Sequence, residues 1–370
     1  MRIAYLFNSS TPSSNASSIQ VVNTCGAIAE LSHSIKLIVP NTGLKVSLSK
    51  FYGIKKSPQL VKIKYFTKFP LGINYYLFSI YSVFWAIFNK TDLYITRNFF
   101  TLFVLNLLKR KVIIEVHHDL KSEGRIVNIL YKHLNILNKK NIVKIIAITK
   151  SVKRYLINNF DLDLNKLEII PSASSLKFKF SKIKKKKKYN IGYFGSLDSS
   201  KGSNLIIKMA KKDKQNNYFI YGGSEDEVLK LKKNFISKNL QINHSVQYGR
   251  LKKIISKMDV LLMPSNLKRL RSLGGIGNIA KYTSPLKLFD YLASGKLIIS
   301  SNLKVFHEIL ENKKNCIMVN DLNTKNWIKV INNFKINLSQ ANYLKINAYN
   351  LSKNYTYSKR ARKILKFGKN

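Results

Sequence analysis

The chain has 370 residues, which is too long for one ordinary domain and suits two domains of roughly 150 to 200 residues each. Its apolar fraction of 45% is normal for a globular protein, and its two cysteines exclude a disulfide scaffold and fit a reducing compartment. The formal net charge of +47 favours polyanionic partners: nucleic acid, anionic lipid or phosphorylated small molecules. A general bias toward lysine is the alternative, because the lysines are spread through the whole chain.

The N-terminal apolar run is too short for a signal peptide, and we interpret it as a first strand. The most apolar stretch, residues 75–88, is shorter than the ~20 residues needed to span a bilayer. We therefore expect a cytoplasmic protein. No acidic residue occurs between Glu30 and Asp92, and this basic, aromatic-rich region favours peripheral attachment to the inner face of the cell membrane. A buried helix under a basic surface is the alternative.

The first half of the chain alternates short apolar strands with longer amphipathic helices. The predicted strands are residues 3–7, 34–39, 60–65, 93–96, 112–116, 143–148 and 167–170. The predicted helices are residues 19–31, 75–88, 101–109, 125–137 and 151–160. This alternation predicts a parallel sheet covered on both faces, and we assign residues 1–173 to an N-terminal domain.

A basic segment, residues 174–188, predicts a linker, and the alternation restarts after it. The predicted strands are residues 190–194, 218–221, 246–248, 260–263, 297–300 and 316–319. The predicted helices are residues 203–211, 225–236, 251–258, 284–293, 305–310 and 326–334. Residues 189–338 then form a second doubly wound domain, and the terminal helical segment, residues 339–370, is expected to pack back toward the first.

The second domain opens with a strand that runs into a loop containing Gly195, Lys201 and Gly202. Ser203 is expected to cap the helix that follows. Backbone N–H groups at a helix start, together with a lysine charge, suit a diphosphate. The alternative is an ordinary strand-to-helix turn with a surface lysine.

A second motif begins at Ser284-Pro285, where serine as N-cap and proline as the first helical residue predict a helix start. Its positive dipole end is expected near a donor phosphate. Asp290 follows on the second turn, and its carboxylate can accept two hydrogen bonds from ribose hydroxyls. The alternative is a surface or capping acid.

Several short motifs stand in a fixed order along the chain: Gly195, Lys201-Gly202, Gly222-Gly223, Tyr248-Gly249-Arg250, Met263-Pro264-Ser265, and the segment from Ser284 to Gly295. In this order they resemble glycosyltransferase family 4, of the GT-B fold. The N-terminal segments 5–12 and 16–21 are similar to the first strand and acceptor-side loop of that family. The likeness covers nearly the whole chain, and residues 284–310 are its most specific part.

The resemblance implies an α/β architecture of two Rossmann-like, doubly wound parallel-sheet domains that face each other across a cleft. It implies a retaining, hexosyltransferase-like reaction from a nucleotide diphosphate donor held by the C-terminal half. No metal, no cofactor beyond the nucleotide-sugar co-substrate and no covalent intermediate are expected. The expected acceptor is a lipid-linked or surface-polysaccharide glycan. An anionic membrane surface is a further partner, whereas nucleic acid is not expected.

The resemblance also implies roles for individual residues. Lys201 matches the diphosphate lysine, Asp290 matches the ribose-binding acid, and His117 or His118 matches a histidine near the donor sugar. The remaining predicted donor-binding residues are Gly195, Ser196, Gly222, Arg250, Ser284 and Lys287.

Two positions depart from the family pattern. Tyr282 stands where the first acid of the Glu-x7-Glu motif holds the donor sugar, and Ser196 stands where many members have an arginine. Because of these departures, the donor sugar is not identified and an inactive relative stays an alternative. A sugar-nucleotide epimerase of the same fold, or a non-catalytic binder of nucleic acid or anionic membrane, also stays open.

Overall fold

The computed structural model describes residues 1–41, 46–64, 71–120, 125–235, 237–271 and 278–367. The chain forms two compact units. Unit 1 comprises Met1–Ala173 and Tyr357–Asn370, and unit 2 comprises Ser174–Thr356. The chain therefore passes between the units twice, once after Ala173 and once after Thr356.

Unit 1 contains a seven-stranded parallel sheet with the strand order β3-β2-β1-β4-β5-β6-β7. Its strands are β1 (Arg2–Leu6), β2 (Ser34–Pro40), β3 (Gln59–Ile63), β4 (Leu93–Thr96), β5 (Val112–Val116), β6 (Ile142–Ala147) and β7 (Leu167–Ile169). Its helices before the crossing are α1 (Ala16–Glu30), α2 (Leu48–Tyr52), α3 (Leu71–Phe88), α4 (Phe99–Leu107), α5 (Arg125–His133) and α6 (Lys150–Asn159). The strand order changes direction at β1, so β1 and β4 are the pair beside which ligands of doubly wound sheets bind.

Unit 2 contains a six-stranded parallel sheet with the order β10-β9-β8-β11-β12-β13. Its strands are β8 (Asn190–Phe194), β9 (Asn217–Tyr221), β10 (Leu240–Asn243), β11 (Val260–Met263), β12 (Leu297–Ser301) and β13 (Ile317–Val319). Its helices are α7 (Ser203–Lys212), α8 (Glu225–Asn234), α9 (Tyr248–Ile255), α10 (Leu286–Ser294), α11 (Thr324–Ile336) and α12 (Leu338–Ser352). The corresponding change of direction lies between β8 and β11.

Successive residues of the central strands of unit 2 enter two different hydrophobic clusters. In β11, Val260 and Leu262 pack in one cluster, and Leu261 and Met263 pack in the other. Because side chains alternate across a strand, both faces of the sheet are covered. This burial explains why the strands read as continuous apolar runs in the sequence.

Most predicted elements are present, and their ends differ from the predicted ones by at most four residues. The predicted ends at Tyr65 and Ile236 lie outside the described residues. The short helix α2 was not predicted. The predicted strand 246–248 is wrong: β10 lies earlier in the chain, where it pairs with β9, and Tyr248 instead begins α9.

The domain division differs from the expectation on both sides of unit 2. The expected linker contributes Ile183 to the core of unit 2, and Asn342 of α12 accepts a hydrogen bond from the Ile183 backbone N–H at 2.7 Å. Helix α12 packs on α10, so residues 339–356 also group with unit 2. Of the expected terminal segment, α13 (Tyr357–Leu365) groups with unit 1, where it packs on α1.

Candidate donor site and a buried charge cluster

The loop after β8 is shaped by glycines that lie against neighbouring backbone and side chains. A Cβ atom on Gly222 would stand 1.7 Å from the Gly195 carbonyl oxygen. Gly202 has a φ of +79°, and a Cβ there would lie 2.5 Å from the Cβ of Pro264, which follows β11. Any larger residue at these positions would push the loop away from the edge of the sheet.

Lys201 ends a short 3-10 turn, Ser199–Lys201, in this loop. Asp198 holds the turn by accepting a hydrogen bond from the Ser200 N–H at 2.8 Å. Burial lowers the pKa of Lys201, although the nearby Asp198 charge works in the opposite direction. Ser203 does not cap α7 as predicted: the N-cap residue is Gly202, and the Ser203 hydroxyl donates to the Leu197 carbonyl at 2.8 Å. The helix start is thereby tied to the loop.

Lys287 lies on the first turn of α10, and its side chain extends to Gly195 in the loop after β8. Its Nζ lies 4.4 Å from the centre of the Tyr193 ring, and a Cβ on Gly195 would stand 3.1 Å from it. This Nζ is buried and has no hydrogen-bond acceptor among the described residues. Burial, and then the charge of Lys201, lower the pKa of Lys287 to about 7. The charge of Lys201 therefore opposes protonation of Lys287, whose Nζ lies beside Gly195.

Tyr291 fixes α10 on the sheet. Its hydroxyl accepts a hydrogen bond from the Phe194 N–H at 3.0 Å and lies 3.4 Å from the Leu262 carbonyl oxygen, so it contacts both β8 and β11. The N-cap of α10 is Pro285 in an extended conformation, so the prediction that Ser284 caps the helix with proline as its first residue is wrong by one position. Pro285 is the extended residue directly before the helix, and Leu286 is the first helical residue.

Asp290 is buried, with 3% of its surface exposed. Its Oδ1 accepts hydrogen bonds from the hydroxyls of Ser174, at 2.6 Å, and Tyr248, at 2.7 Å. Burial raises the pKa of Asp290 to about 7, and the two hydroxyls only partly offset this effect. The sequence did not identify either partner, since Ser174 lies 116 residues away and Tyr248 was placed in a strand.

The other predicted donor-binding residues lie in the turns after β8 and β9, on α9 and before α10. Gly195, Ser196 and Gly222 are in these glycine-rich turns, and the hydroxyl of Ser196 is buried without a hydrogen-bond partner among the described residues. Arg250, in contrast, is exposed on α9. Ser284 is half-buried directly before the α10 cap.

A second charge cluster lies in unit 1 at the end of β5. His117 follows this strand, and its Nε2 is 3.3 Å from Oε2 of the buried Glu115. Arg360 of α13 donates to the same oxygen at 2.8 Å and to the backbone carbonyls of Ile170 and Pro171 at 2.7 and 2.6 Å. The last helix of the chain therefore supplies the cation that balances Glu115.

Burial and neighbouring charges determine the protonation states of Glu115 and His117 in this cluster. Burial by itself would raise the pKa of Glu115, but the Arg360 charge and the His117 hydrogen bond lower it to about 2. Burial, reinforced by the charge of Arg97, lowers the pKa of His117 to about 3. At neutral pH the cluster consists of an ionised glutamate with two arginines, Arg360 and Arg97, beside a neutral imidazole. Neither Arg97, which follows β4, nor Arg360 was singled out by the sequence.

His118 is the next residue along the chain after His117. Its Nδ1 is 2.9 Å from the carbonyl oxygen of Asp119, and its ring makes an edge contact with Phe99. In the described part of the chain, no group of three or more His, Cys, Asp or Glu side chains is placed to hold a metal ion.

Comparison with known proteins bears directly on unit 2. Residues 174–351 match the family model described as "Glycosyl transferases group 1". The match covers just under half of the chain and contains Lys201, Lys287 and Asp290. A search of curated protein sequences finds no match.

Solved structures match over nearly the full chain. Sucrose-phosphate synthase from Thermosynechococcus elongatus is similar with a TM-score of 0.73 and 13% identity, over 98% of this chain and 97% of that one. Anabaena HepE in complex with UDP-glucose has a TM-score of 0.69 and 14% identity, over 98% of each chain. WaaG, a glycosyltransferase involved in lipopolysaccharide biosynthesis, has a TM-score of 0.65 and 9% identity, over 98% of each chain. The predicted GT-B architecture of two parallel-sheet α/β domains is confirmed.

Proposed function

We propose that this protein is a retaining, metal-independent glycosyltransferase of family 4 that moves a hexosyl group from a nucleoside diphosphate to an acceptor hydroxyl. The observation that carries the proposal is the lysine pair, Lys201 and Lys287, at the end of β8. Burying like charges together is unfavourable unless a ligand supplies the opposite charge. A diphosphate supplies two or more negative charges in one small group, and the group 1 glycosyltransferase match covers this part of the chain.

Each donor-side residue has a place in this proposal. Lys201 and Lys287 bind the diphosphate, and Gly195 and Gly222 leave room for it against the backbone. Asp290 binds the ribose hydroxyls, because a carboxylate has about four lone-pair sites and the hydroxyls of Ser174 and Tyr248 use only part of that capacity. Ser196, Arg250 and Ser284 complete the proposed donor-binding set.

The proposed transfer breaks the bond between the anomeric carbon and the diphosphate oxygen, and the electron pair stays on the diphosphate. The acceptor hydroxyl oxygen forms the new bond to the same face of that carbon, and its proton ends on the departing diphosphate. The lysine pair stabilises the negative charge that develops on the diphosphate, which is the largest catalytic contribution expected from this site.

His117 is the proposed sugar-binding histidine, in preference to His118. It is neutral, so its free ring nitrogen can exchange a hydrogen bond with a sugar hydroxyl. Glu115 and Arg360 act through it as positioning residues, since the Glu115 carboxylate fixes which imidazole nitrogen carries the proton. His118 is the alternative, and comparing the two substitutions distinguishes them.

A lipid-linked or surface-polysaccharide glycan at the inner face of the cell membrane suits the basic, acid-free region of unit 1. No helix in the described ranges is long and apolar enough to cross a membrane.

Thermal unfolding with a panel of nucleoside diphosphates and their glucose, galactose and N-acetylglucosamine conjugates tests the function. A ligand at about 100 times its Kd adds roughly 2.7 kcal/mol to the stability. We expect stabilisation by at least one nucleotide and loss of that effect in Lys287→Met. Stabilisation by none, or equal stabilisation of the variant, contradicts the proposal. Conversion of the bound sugar nucleotide into its epimer without an acceptor would identify the epimerase instead.

A further inference from the structure

Helix α3 exposes an apolar face to solvent. Six large side chains are each more than a third exposed, and their spacing places them on one side of the helix. They are Ile73, Tyr76, Ile80, Tyr81, Phe84 and Phe88. Phe88 has 81% of its surface exposed. A contiguous apolar face of this kind marks an interaction surface, whereas single exposed apolar residues do not.

The opposite side of α3 carries small polar residues that are buried inside unit 1. Ser79 and Ser82 are completely buried, and their hydroxyls donate to the carbonyls of Tyr75 and Ser79 at 2.8 and 3.0 Å. Asn98, at the start of α4, donates its side-chain N–H to the Ser79 hydroxyl at 3.3 Å. The usual arrangement on a surface helix is therefore partly reversed, because aromatic side chains face out while serines face in.

The apolar surface continues onto α4, which packs against α3. The ring of Phe100 lies 4.6 Å from that of Tyr76, and Phe100 stacks on Phe103 at 6.2 Å. Leu107, one turn further along α4, has 66% of its surface exposed. These residues of both helices form one surface, which we call the α3–α4 face.

Exposed basic residues lie at one end of the α3–α4 face. Lys90 follows α3, and three successive bases, Lys109, Arg110 and Lys111, follow α4. The two helices precede the neighbouring parallel strands β4 and β5, so both basic ends lie at the same edge of the sheet. Asp92, the acid nearest in sequence to Lys90, is engaged by Arg2 at 2.6 Å.

We propose that the α3–α4 face docks on the surface of an anionic lipid bilayer. Its aromatic and aliphatic side chains enter the boundary between headgroups and acyl chains, and the bases lie beside the lipid phosphates. A second copy of the chain fits less well as the occupant, because each copy carries a formal net charge of +47. The proposal depends on these two helices alone and stands whether or not the protein is a transferase.

Co-sedimentation of the full chain with vesicles tests the docking surface. Vesicles of phosphatidylcholine with 30% phosphatidylglycerol are compared with phosphatidylcholine alone, at low and high salt. We expect Phe84→Ser/Phe88→Ser to reduce binding to anionic vesicles by about 10-fold or more. Lys109→Gln/Arg110→Gln/Lys111→Gln is expected to cause a similar loss that is largest at low salt. Leu229→Ser/Ile336→Ser and Lys230→Gln/Lys232→Gln/Lys233→Gln, at exposed positions of unit 2, are the matched controls and keep parental binding.

Two results overturn the proposal. One is parental vesicle binding by Phe84→Ser/Phe88→Ser. The other is a lipid-free dimer in sedimentation equilibrium that the same substitution abolishes, since the face would then join two copies of the chain. Nucleotide affinity is measured on every variant, and because none of the substituted residues belongs to the proposed donor-binding set, we expect it to be unchanged. Failure of vesicle binding and failure of donor binding are thereby distinguished.

Discussion

The two units each bury charged side chains near the carboxyl edge of a parallel sheet, and they balance those charges differently. In unit 1, Glu115 lies between Arg360 and His117, so the protein supplies both signs itself. In unit 2, Lys287 and Lys201 are both half-buried, but the Nζ of Lys287 is buried and has no acceptor among the described residues. We propose that the first cluster stabilises the fold and that the second binds a ligand, because a buried charge without a partner is costly.

Removing the balancing cation in unit 1 should give the largest effect on stability. Arg360→Met leaves Glu115 buried without the main cation that keeps it ionised, and losses of about 3–5 kcal/mol are typical of breaking such a pair from one side. Urea denaturation measures the loss. Arg362→Met changes an exposed arginine on the same helix and is expected to stay within about 0.5 kcal/mol of the parent. Equal stability of the two variants would show that the Glu115–Arg360 pair does not hold α13 in place.

Removing a cation in unit 2 should affect ligand binding and leave the fold intact. Lys201→Ala is expected to lower kcat/KM by on the order of 100-fold, since loss of one group that stabilises developing charge typically has this effect. The turnover rate falls as well as the donor affinity, because the departing diphosphate carries more charge than the bound one. Lys208→Ala, an exposed lysine on α7, is the control. Unchanged kinetics at saturating donor would remove Lys201 from the site.

Asp290 distinguishes a ligand role from a purely structural one. Asp290→Asn retains an oxygen for Ser174 and Tyr248 but loses the charge, and a charge-assisted hydrogen bond contributes about 1.5–3 kcal/mol. Affinity for the nucleoside diphosphate should therefore drop by roughly 10- to 100-fold. Affinity for the free sugar phosphate, which has no ribose, should not change. Calorimetry on both proteins decides between the roles, and equal nucleotide affinity would leave Asp290 a structural residue.

The smallest effect is expected at Tyr248. Tyr248→Phe removes one of the two hydroxyls on Asp290 and should lower stability by about 1 kcal/mol. It should also raise the pKa of Asp290 further, because that hydrogen bond favours the ionised carboxylate. A raised folded-state pKa means that the stabilising contribution of Asp290 is present below pH 4 and is lost as the pH rises toward 7. The parent and Asp290→Asn should therefore diverge in stability over this range, and parallel pH profiles would contradict the assignment.

The sequence predicted the sheets well because their strands are buried on both faces and read as separate apolar runs. It failed where a tertiary contact decided the local structure. Residues 246–248 have the composition of a strand, yet the Tyr248 hydroxyl is engaged by Asp290, and α9 begins there. The terminal segment was predicted to pack as one unit, but α12 groups with unit 2 and α13 groups with unit 1. Periodicity within a helix does not specify which hydrophobic core the helix joins.

The sequence also predicted only part of the candidate site. Gly195, Gly222 and Lys201 follow strands in a recognisable order, so their proximity at the edge of the sheet could be inferred. The partners of Asp290 and His117 could not, because Ser174, Tyr248 and Arg360 are distant in sequence and carry no motif of their own. Lys287 was included by its position in the motif, and its burial next to Lys201 became evident only in the fold.

The central claim, that the lysine pair awaits a diphosphate, is tested most directly by the protons taken up on binding. With a pKa of about 7, Lys287 is mostly neutral at pH 8, and a bound diphosphate should raise that pKa and draw a proton from the buffer. Calorimetry at pH 8 in buffers of different ionisation enthalpy, with the nucleoside diphosphate selected by thermal shift, measures this uptake. We predict uptake of nearly one proton by the parent, and little uptake with weaker binding by Lys287→Met. Equal affinity and equal proton uptake in the two proteins would contradict the account.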